Sequence, residues 1–481
     1  MDPHVHPPEL HPVGEALYEL PRSARADMRV PVRVVADAVL MLQLSHDHSL
    51  EQLINVSTLP GIVGFALGMP DMHEGYGFPV GGVAATRWPD GVISPGGIGF
   101  DINCGVRLLA STISADALGA RLEPLVHELS RSVPTGYGRS GRLELSSDQL
   151  DHVLIEGCNY LVNQLGFGEP EDLEHIEANG RLAAADVAQV SLHARERGAD
   201  QLGTLGGGNH FLEVQRVQSV LDDEAARAFG IFEGQLVVLI HTGSRGLGHQ
   251  VCSDHVRTMD AVHARYGITL PDRQLACAPL SSPEGRGYFA AMCAAANFAF
   301  CNRQVLTQRA RECFLRVLGR HEGTLRVVYD VAHNMAKLER HGDELLCVHR
   351  KGATRAFGPS RDEVPARYRH VGQPVFIPGS MGTASYVLAG ADTSEAISLA
   401  SCCHGAGRAM SRTSAKHQVQ GHLLRRELEA RGIVVRCPSN AELAEEAPLA
   451  YKDVDRVVDV VARAGLARKV ARLVPLGVLK G

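Results

Sequence analysis

The sequence predicts an α/β protein built as one large domain. Short runs of β-branched and apolar residues, such as Val237–His241 and Leu325–His333, are typical of buried strands. Longer segments with helical periodicity lie between or before such runs, at Leu122–Val133, Ser147–Gln164, Gly180–Gly198 and Val454–Gly465. Strands that alternate with helices favour a mixed α/β fold, although this pattern does not predict the strand order.

The domain organisation follows from length and composition. The chain has 481 residues, 45% of them hydrophobic, and no Ser/Gly-rich or Pro-rich linker divides its middle. We therefore expect one unit with insertions rather than two or three domains. Residues 1–12, MDPHVHPPELHP, mix Pro with His and are interpreted as a mobile tail, which leaves residues 13–481 as the domain. The apolar segment Gly287–Phe300 is too short to cross a membrane and predicts a buried helix.

Charge and cysteine content limit the class of protein. The net charge is −6, so any contact with RNA must come from a local group of arginines. The 11 cysteines form no CxxC pair, which favours reduced thiols over a disulfide framework. The start of the chain lacks the basic and apolar regions of a secretory signal. These features predict a cytoplasmic protein that does not associate with membranes.

Glycine is concentrated in a few segments, most of which also contain His, Cys or Asp. Glycine lets backbone amides approach a ligand closely. Any single segment would be an ordinary turn, but their repeated association with ligand-type residues favours loops around an anionic ligand. The segments are YGFPVGG, SPGGIGFDINCG, GTLGGGNHF, HTGSRGLG, IPGSMG and CCHGAG.

Five of the residues near these glycines favour a metal site. Asp101 and Cys104 stand three positions apart in GFDINCG, His210 follows three glycines, and His241 and His333 end the two predicted strands. Each alone would more often be structural, whereas together they favour metal binding. Five ligands exceed one tetrahedral shell, and a thiolate can bridge two ions, so Cys104 shared by two metals explains the number. Ligand chemistry leaves zinc and manganese both open.

His404, in SCCHGAGRAMSR, is a candidate of another kind. Arg408 and Arg412 follow it and would share a face if a helix began there. A neutral imidazole is a competent nucleophile toward phosphorus, and the arginines could neutralise phosphates. A helix-entry histidine with two solvated arginines explains the pattern equally well. The chain has no Gly-Lys pair for a Walker A loop and no KxDG lysine, which favours a nucleophile other than lysine.

The chain resembles the RtcB family of RNA-splicing ligases. The resemblance extends from Met69–Gly82 to the final VPLGVLKG and includes seven segments in the family's order, which are GFDINCGVRLL, GTLGGGNHFLEVQ, HTGSRGLGHQV, YDVAHNMAKLE, VHRKGATRAF, IPGSMGTASYVL and CCHGAGRAMSR. It implies that residues 13–481 form one RtcB-like ligase domain with its active site in a central cleft.

The resemblance also implies an activity. It implies a ligase dependent on GTP and two Mn²⁺ ions that joins RNA 3′-phosphate or 2′,3′-cyclic phosphate ends to 5′-hydroxyl ends, in tRNA splicing or RNA repair. His404 would form a histidine–GMP intermediate, and the GMP would pass to the RNA as RNA(3′)pp(5′)G. By the same analogy Asp101, Cys104 and His210 hold one Mn²⁺, and Cys104, His241 and His333 hold the other. RNA is the implied partner, an archease-type activator stays open, and DNA is not expected.

A guanylate pocket and an RNA surface are implied by the same motifs. Glu213 could accept hydrogen bonds from the guanine N1–H and amine, which would select GTP over ATP. The guanylate contacts are assigned to Asn209, His210, Phe211, Leu212, Glu213, His333, Asn334, Pro378, Gly379, Ser380, Met381, Ser385, His404, Gly405, Ala406, Gly407, Tyr451 and Lys480. RNA phosphates are assigned to Arg245, Arg408 and Arg412, then to Arg195 and Arg197, for which a solvated helix face explains the sequence equally well.

Some motif residues and two other functions stay open. Asp71, His73 and Glu74 are expected to orient ligands or a phosphate, whereas His349–Lys351 could face RNA or be structural. A dinuclear phosphodiesterase would use the five ligands without His404. A non-catalytic RNA-binding module is disfavoured by the charge of −6 and by an aromatic content of only 5% without stacking motifs.

Overall fold

Two β-sheets organise the fold in the computed structural model, which describes residues 10–44, 47–136, 138–141 and 143–481. The strands are β1 (His11–Gly14), β2 (Leu17–Leu20), β3 (Val32–Val35), β4 (Ile62–His73), β5 (Val80–Arg87), β6 (Val92–Ile93), β7 (Gly105–Ser114), β8 (Phe211–Val220), β9 (Gln235–Thr242), β10 (Ala278–Pro279), β11 (Leu325–Ala332), β12 (Asn334–His341), β13 (Glu344–Lys351), β14 (Ala353–Arg355), β15 (Pro374–Ile377), β16 (Ser385–Gly390), β17 (Ser401–Cys403), β18 (Val434–Arg436) and β19 (Ala467–Lys480).

Helices are distributed along the whole chain. They are α1 (Ala38–Gln43), α2 (Ser49–Val56), α3 (Leu122–Ser132), α4 (Ser147–Glu156), α5 (Cys158–Asn163), α6 (Leu192–Gly198), α7 (Asp223–Phe229), α8 (Arg245–Val262), α9 (Pro283–Leu318), α10 (Ser394–Ser398), α11 (Arg412–Gln418), α12 (Gly421–Ala430), α13 (Asn440–Glu445) and α14 (Val454–Arg463). The expected mixed α/β class is therefore confirmed.

Both sheets join strands that are distant in sequence. The first has seven strands in the order β1-β2-β3-β4-β5-β13-β12. The second has eight strands in the order β11-β7-β9-β8-β19-β16-β15, with β18 added parallel to β19. Two further short pairs are β10 with β6 and β14 with β17. Most neighbours are antiparallel, and β3 runs parallel to β4.

The second sheet is buried on both faces, which explains its continuous apolar strands. In β9, Val237 and Leu239 face one apolar cluster, while Val238 and Ile240 face another. A strand with no solvated face has no reason to alternate apolar and polar residues. The predicted strands at 237–241 and 325–333 are confirmed as β9 and β11, although His333 follows the end of β11.

The helix predictions fared unevenly. Helices α3 and α14 match their predicted segments, and α9 extends the predicted buried helix at both ends. The segment 147–164 is two helices because Gly157, at φ +59°, interrupts it. The single helix predicted at 180–198 was wrong, since only α6 is α-helical there. The Asp186 side chain accepts from a nearby backbone N–H and begins a short 3-10 helix, and the Ser191 side chain does the same at the start of α6.

Two expectations concern the chain's start and membranes. Residues 1–9 of the predicted tail lie outside the described residues, whereas His11 and Pro12 lie in β1 and pair with Glu19 and Tyr18. Residues 11 and 12 of the segment assigned to the tail are therefore part of a β-strand, and a mobile tail was wrong for them. Within the described ranges, no helix combines the length and apolar character needed to span a bilayer.

Candidate active site

The five predicted metal ligands lie together where four strands of the second sheet begin or end. The strands β11, β7, β9 and β8 are adjacent and antiparallel, so the starts of β7 and β8 lie beside the ends of β9 and β11. Asp101 and Cys104 precede β7, and His210 precedes β8. His241 is the penultimate residue of β9, and His333 follows β11. Strand pairing therefore joins residues that are up to 232 positions apart, as 333 − 101 gives.

The five side chains form two groups that share one thiol. Ligand atoms of Asp101, Cys104 and His210 lie within 4.8 Å of one another, as do those of Cys104, His241 and His333. The Cys104 Sγ is 3.4 Å from His210 Nε2 and 3.2 Å from His241 Nε2. His210 Nε2 is 2.8 Å from Asp101 Oδ2, and His241 Nε2 is 3.2 Å from His333 Nε2. This is the shared-thiol arrangement that the number of ligands predicted.

The protonation states suit a divalent cation. Burial lowers the pKa of His210, His241 and His333, so neutral imidazoles present lone pairs near pH 7. Burial and then Asp101 raise the pKa of the Cys104 thiol, and a metal would displace its proton. Burial raises the pKa of Asp101, but His210 and Arg245 together lower it by more than burial raises it. The net pKa is therefore below the usual range. The donor set therefore fits one or two divalent ions.

His404 is held by a buried carboxylate of the first sheet. It follows β17, and its Nδ1 lies 2.7 Å from Oδ2 of Asp71 in β4, whose side chain is 0% exposed. The same oxygen accepts from the backbone N–H groups of His404 and Gly405 at 3.1 and 3.3 Å. Gly407 lets the loop pack here, because an added Cβ would lie 2.2 Å from the Asp71 carbonyl oxygen. The carboxylate fixes the Nδ1–H tautomer and leaves the Nε2 lone pair available.

The two centres face one cleft. The ring centroids of His404 and His333 are 4.9 Å apart, and both residues line a cleft of about 870 Å³. The predicted central cleft is thus present. Of the residues assigned to guanylate, those that line it are Asn209, Phe211, His333, Asn334, Pro378, Gly379, Ser380, Met381, His404, Gly405, Ala406, Gly407, Tyr451 and Lys480.

The remaining residues assigned to guanylate lie behind the cleft wall. The Leu212 side chain packs into the apolar core, which leaves only its backbone for a ligand contact. Glu213 is 3% exposed and accepts from Gln215 Nε2 at 2.6 Å. Gln215 also donates to Ser385 at 3.2 Å, whose hydroxyl accepts from the Gly379 N–H at 3.3 Å. Burial raises the pKa of Glu213 to about 7.

Glu446 organises the far side of the cleft, and no local pattern distinguishes it from its acidic neighbours in the sequence. It is 1% exposed, lines the cleft and accepts from Arg408 at 3.2 Å and Arg412 at 3.0 Å. The Tyr451 hydroxyl also donates to it, and Lys480 Nζ lies 3.8 Å away. The shared helical face predicted for the two arginines was wrong, since α11 begins at Arg412. They converge on this carboxylate instead.

The other predicted arginines differ in position. Arg245 begins α8, and its Nη1 lies 2.9 Å from His210 Nδ1, beside the ligand groups. Arg195 forms an ion pair with Asp151, and Arg197 donates to Gln250 at 2.8 Å. Among the described residues that line the cleft, neither Arg195 nor Arg197 is found. Their partners are those of a packed helix surface.

The two motif segments left open now have definite surroundings. His73 and Glu74 line the cleft, whereas Asp71 lies behind His404. His349 accepts from the Ser94 N–H at 3.3 Å, and Arg350 forms a buried ion pair with Glu339 at 2.7 Å, so both residues are structural. Lys351 is different, since it lines the cleft and donates to two backbone carbonyls, while burial lowers its pKa to about 7. The 11 cysteines, all described, are free thiols.

Comparison with known proteins decides the family. The family model described as "tRNA-splicing ligase RtcB" matches residues 52–481. The chain belongs to the RtcB family of RNA ligases. It is 52% identical over 478 residues to the tRNA-splicing ligase RtcB of Archaeoglobus fulgidus, covering 98% of this chain and 99% of that one.

Other relatives give the same result. The tRNA-splicing ligase RtcB of Thermococcus kodakarensis is 53% identical over 475 residues, with 98% of each chain covered. The RNA-splicing ligase RtcB of Mycobacterium tuberculosis is 52% identical over 437 residues, which is 89% of this chain and 100% of that one. The RtcB motifs identified in the sequence are therefore a family signature and not a local coincidence.

Proposed function

We propose that this RtcB-family ligase uses GTP and two Mn²⁺ ions to join RNA 3′-phosphate or 2′,3′-cyclic phosphate ends to 5′-hydroxyl ends. The observation that carries the proposal is the pairing of His404 with Asp71, 4.9 Å from the imidazole of His333. A histidine with a fixed tautomer, open to a cleft beside a metal-type donor set, is suited to attack phosphorus. The family's printed name supports tRNA splicing, and RNA repair would use the same chemistry.

The first step would be guanylylation of His404. Its Nε2 would attack the α-phosphorus of GTP, an N–P bond would form, and pyrophosphate would leave. The Asp71 carboxylate, 2.7 Å from Nδ1, would stabilise the positive charge that the imidazole gains during attack. Backbone N–H groups of the Pro378–Met381 and Gly405–Gly407 segments are close enough to the cleft to bind phosphate or ribose.

Recognition of guanine would come from the wall beside Lys480. The carboxylate form of Glu213 can accept two hydrogen bonds from guanine N1–H and the exocyclic amine, which adenine cannot donate. The Lys480 ammonium lies 5.7 Å from the centre of the Phe211 ring. Burial lowers the pKa of Lys480, and the nearby carboxylates of Glu446 and Glu213 partly oppose this shift. Tyr451, packed against Arg408, is positioned to contact the base.

The two ligand groups are proposed to hold the Mn²⁺ ions, one on Asp101, Cys104 and His210 and the other on Cys104, His241 and His333. Bound divalent ions supply charge neutralisation and polarisation of phosphate groups. Manganese is preferred to zinc on the family assignment, since imidazole and thiolate donors accept either ion.

The second and third steps would transfer GMP and then release it. The RNA 3′-phosphate would attack the phosphorus of the histidine–GMP, and the N–P bond would break to give RNA(3′)pp(5′)G. The 5′-hydroxyl of the second RNA would then attack the 3′-phosphate and expel GMP. A cyclic phosphate would first be opened by water. Arg245, Arg408 and Arg412 are the proposed phosphate-binding residues for RNA.

Labelling with GTP tests the proposal. Incubation with α-labelled GTP and Mn²⁺ should yield protein-bound GMP that is acid-labile and base-stable, as a phosphoramidate is. His404→Ala should lose this label and the joining of a 3′-phosphate RNA to a 5′-hydroxyl RNA. His193→Ala, at an exposed histidine of α6, is the matched control and should retain both. Joining by the His404 variant at the wild-type rate would refute the nucleophile.

The competing function is a dinuclear RNA phosphodiesterase. It would use the same five ligands and would need neither His404 nor Glu213. The family match over residues 52–481 favours the ligase, since an imidazole held by a buried carboxylate could also serve a hydrolase as a general base for water. RNA cleavage without protein-bound GMP would support the phosphodiesterase instead.

A further inference from the structure

Three aromatic rings form a row at the cleft beside Asp101. The Phe100 and Tyr76 ring centroids are 5.3 Å apart at an interplanar angle of 60°. The His249 ring stacks on Phe100, with centroids 4.9 Å apart and an angle of 26°. The three residues come from β4–β5, β6–β7 and α8, so no sequence motif contains them together.

This row is not ordinary core packing. Phe100 contacts the apolar core with part of its ring, but Phe100 and Tyr76 are only half-buried, and both line the cleft. His249 is exposed and borders the cleft through its contact with Phe100. Rings that served only to fill the interior would be buried, as Phe78 is at 0% exposure. His249 covers one face of Phe100, and the exposed parts of Phe100 and Tyr76 border the cleft that a substrate would enter.

Arginines lie near the Phe100 and His249 rings, whereas carboxylates lie near Tyr76. The Arg245 Nη1 is 2.9 Å from Nδ1 of His210, whose Nε2 is 2.8 Å from Asp101, the residue that follows Phe100. Arg197 lies close to His249 and, after burial, lowers the pKa of its imidazole. Aromatic faces flanked by guanidinium groups are the usual combination for unpaired nucleic acid, in which bases stack while phosphates meet arginines.

We propose that Tyr76, Phe100 and His249 form a stacking platform for a nucleobase at the RNA end that reacts in this cleft. The proposal rests on the proposed ligase function, because the occupant is taken to be the ligase's RNA substrate. The base would belong to the nucleotide whose phosphate or hydroxyl reaches the metal-type donors. Stacking accepts any base, since every base has a π-face, so the platform would hold the end without selecting sequence.

Guanine from GTP is the less suitable occupant. The polar groups proposed to read a guanine edge are Glu213 and Lys480. Lys480 lines the cleft beside Tyr451 and Glu446, and Glu213 lies behind it. Beside the aromatic row, by contrast, Lys351 donates to the Tyr76 carbonyl at 2.5 Å, and arginines lie near the other two rings. These cations match a phosphate backbone, and the neighbouring Asp101 carboxylate is already engaged by His210 and the Ser244 N–H.

Fluorescence of 2-aminopurine tests the platform. The full chain, without GTP or metal, is titrated with single-stranded RNA that carries 2-aminopurine either at the 3′-phosphate nucleotide or at the 5′-hydroxyl nucleotide. Stacking should quench the fluorescence of the probe at one end, and the end that is quenched identifies the base. Phe100→Leu should relieve the quenching and weaken binding of that RNA about fivefold, the lower end of the range for loss of one aromatic–base stack.

An abasic RNA separates stacking from any general damage. When the probe nucleotide lacks its base, wild type and Phe100→Leu should bind the RNA with equal affinity. His249→Ala, at an exposed ring, should weaken binding of the base-containing RNA about twofold with little risk to folding. Phe232→Leu, at a 43% exposed phenylalanine outside the cleft, is the matched control and should bind as wild type does.

The outcomes are distinguishable. Absence of quenching at both ends, or equal weakening of the base-containing and abasic RNAs by Phe100→Leu, would overturn the platform. If His404 takes up GMP and joins RNA while binding shows no dependence on the base, only the platform fails. Quenching that depends on Phe100 without any GMP transfer would support the platform and refute the ligase mechanism.

Discussion

Replacing Asp71 by Asn tests whether the buried carboxylate activates His404. The substitution keeps the size of the side chain and an oxygen that can accept from His404 Nδ1, 2.7 Å away. It removes the negative charge. The backbone N–H groups of His404 and Gly405 point to the same oxygen, so the new amide should orient its oxygen, and not its NH₂ group, toward them.

The expected loss follows from this single change in charge. A hydrogen bond to a charged group contributes about 1.5–3 kcal/mol, against about 0.5–1.5 kcal/mol for a neutral one. The difference of about 1–1.5 kcal/mol corresponds to a rate about five to 13 times lower. This is a lower bound, because the imidazole becomes positive as it attacks phosphorus and the side chain of Asp71 is 0% exposed.

The assay is the single-turnover rate of GMP attachment to His404 at saturating GTP. A positioning role predicts that the rate falls while the affinity for GTP changes little, since Asp71 lies behind the histidine and not among the cleft-lining residues. Asp148→Asn, at an exposed position in the first turn of α4, is the control and should label at the wild-type rate. Labelling of the Asp71 variant within twofold of wild type would show that the carboxylate is merely structural.

Three further predictions concern binding, metals and stability. Burial raises the pKa of Glu213 to about 7, so its accepting carboxylate form is lost below that pH. GTP affinity measured by calorimetry should therefore weaken from pH 8 to pH 6 in wild type but not in Glu213→Gln. Asp101→Ala should lower the Mn²⁺ content toward one ion per chain in elemental analysis, whereas Cys104→Ala should reduce the binding of both ions. Equal stoichiometry in the two variants would contradict the shared thiol. Asp330→Asn leaves two buried guanidinium groups without their carboxylate and should reduce the free energy of unfolding by about 3–5 kcal/mol in denaturant titrations, unlike the exposed Asp343→Asn.

Residue chemistry alone predicted the five side chains that the fold gathers into two candidate metal-binding groups. The DxxC pair, a histidine after three glycines and two histidines at strand ends are all short-range patterns, and β7, β8, β9 and β11 bring them together. Continuous apolar runs indicated the buried strands because both faces of the second sheet pack against core. The prediction failed for residues 180–198, where local side-chain hydrogen bonds replaced a continuous helix.

The sequence by itself determined the fold class, the family and the side chains of the candidate metal-binding groups, since each depends on composition or on residues close together along the chain. Only the tertiary structure decided which carboxylate holds His404, which one gathers Arg408 and Arg412, and which rings meet beside Asp101. His404 and its partner Asp71 are 333 residues apart in the chain, and Arg408 and its partner Glu446 are 38 apart. Such contacts arise from the packing of loops, helices and strands that are distant in sequence, and no local spacing encodes them.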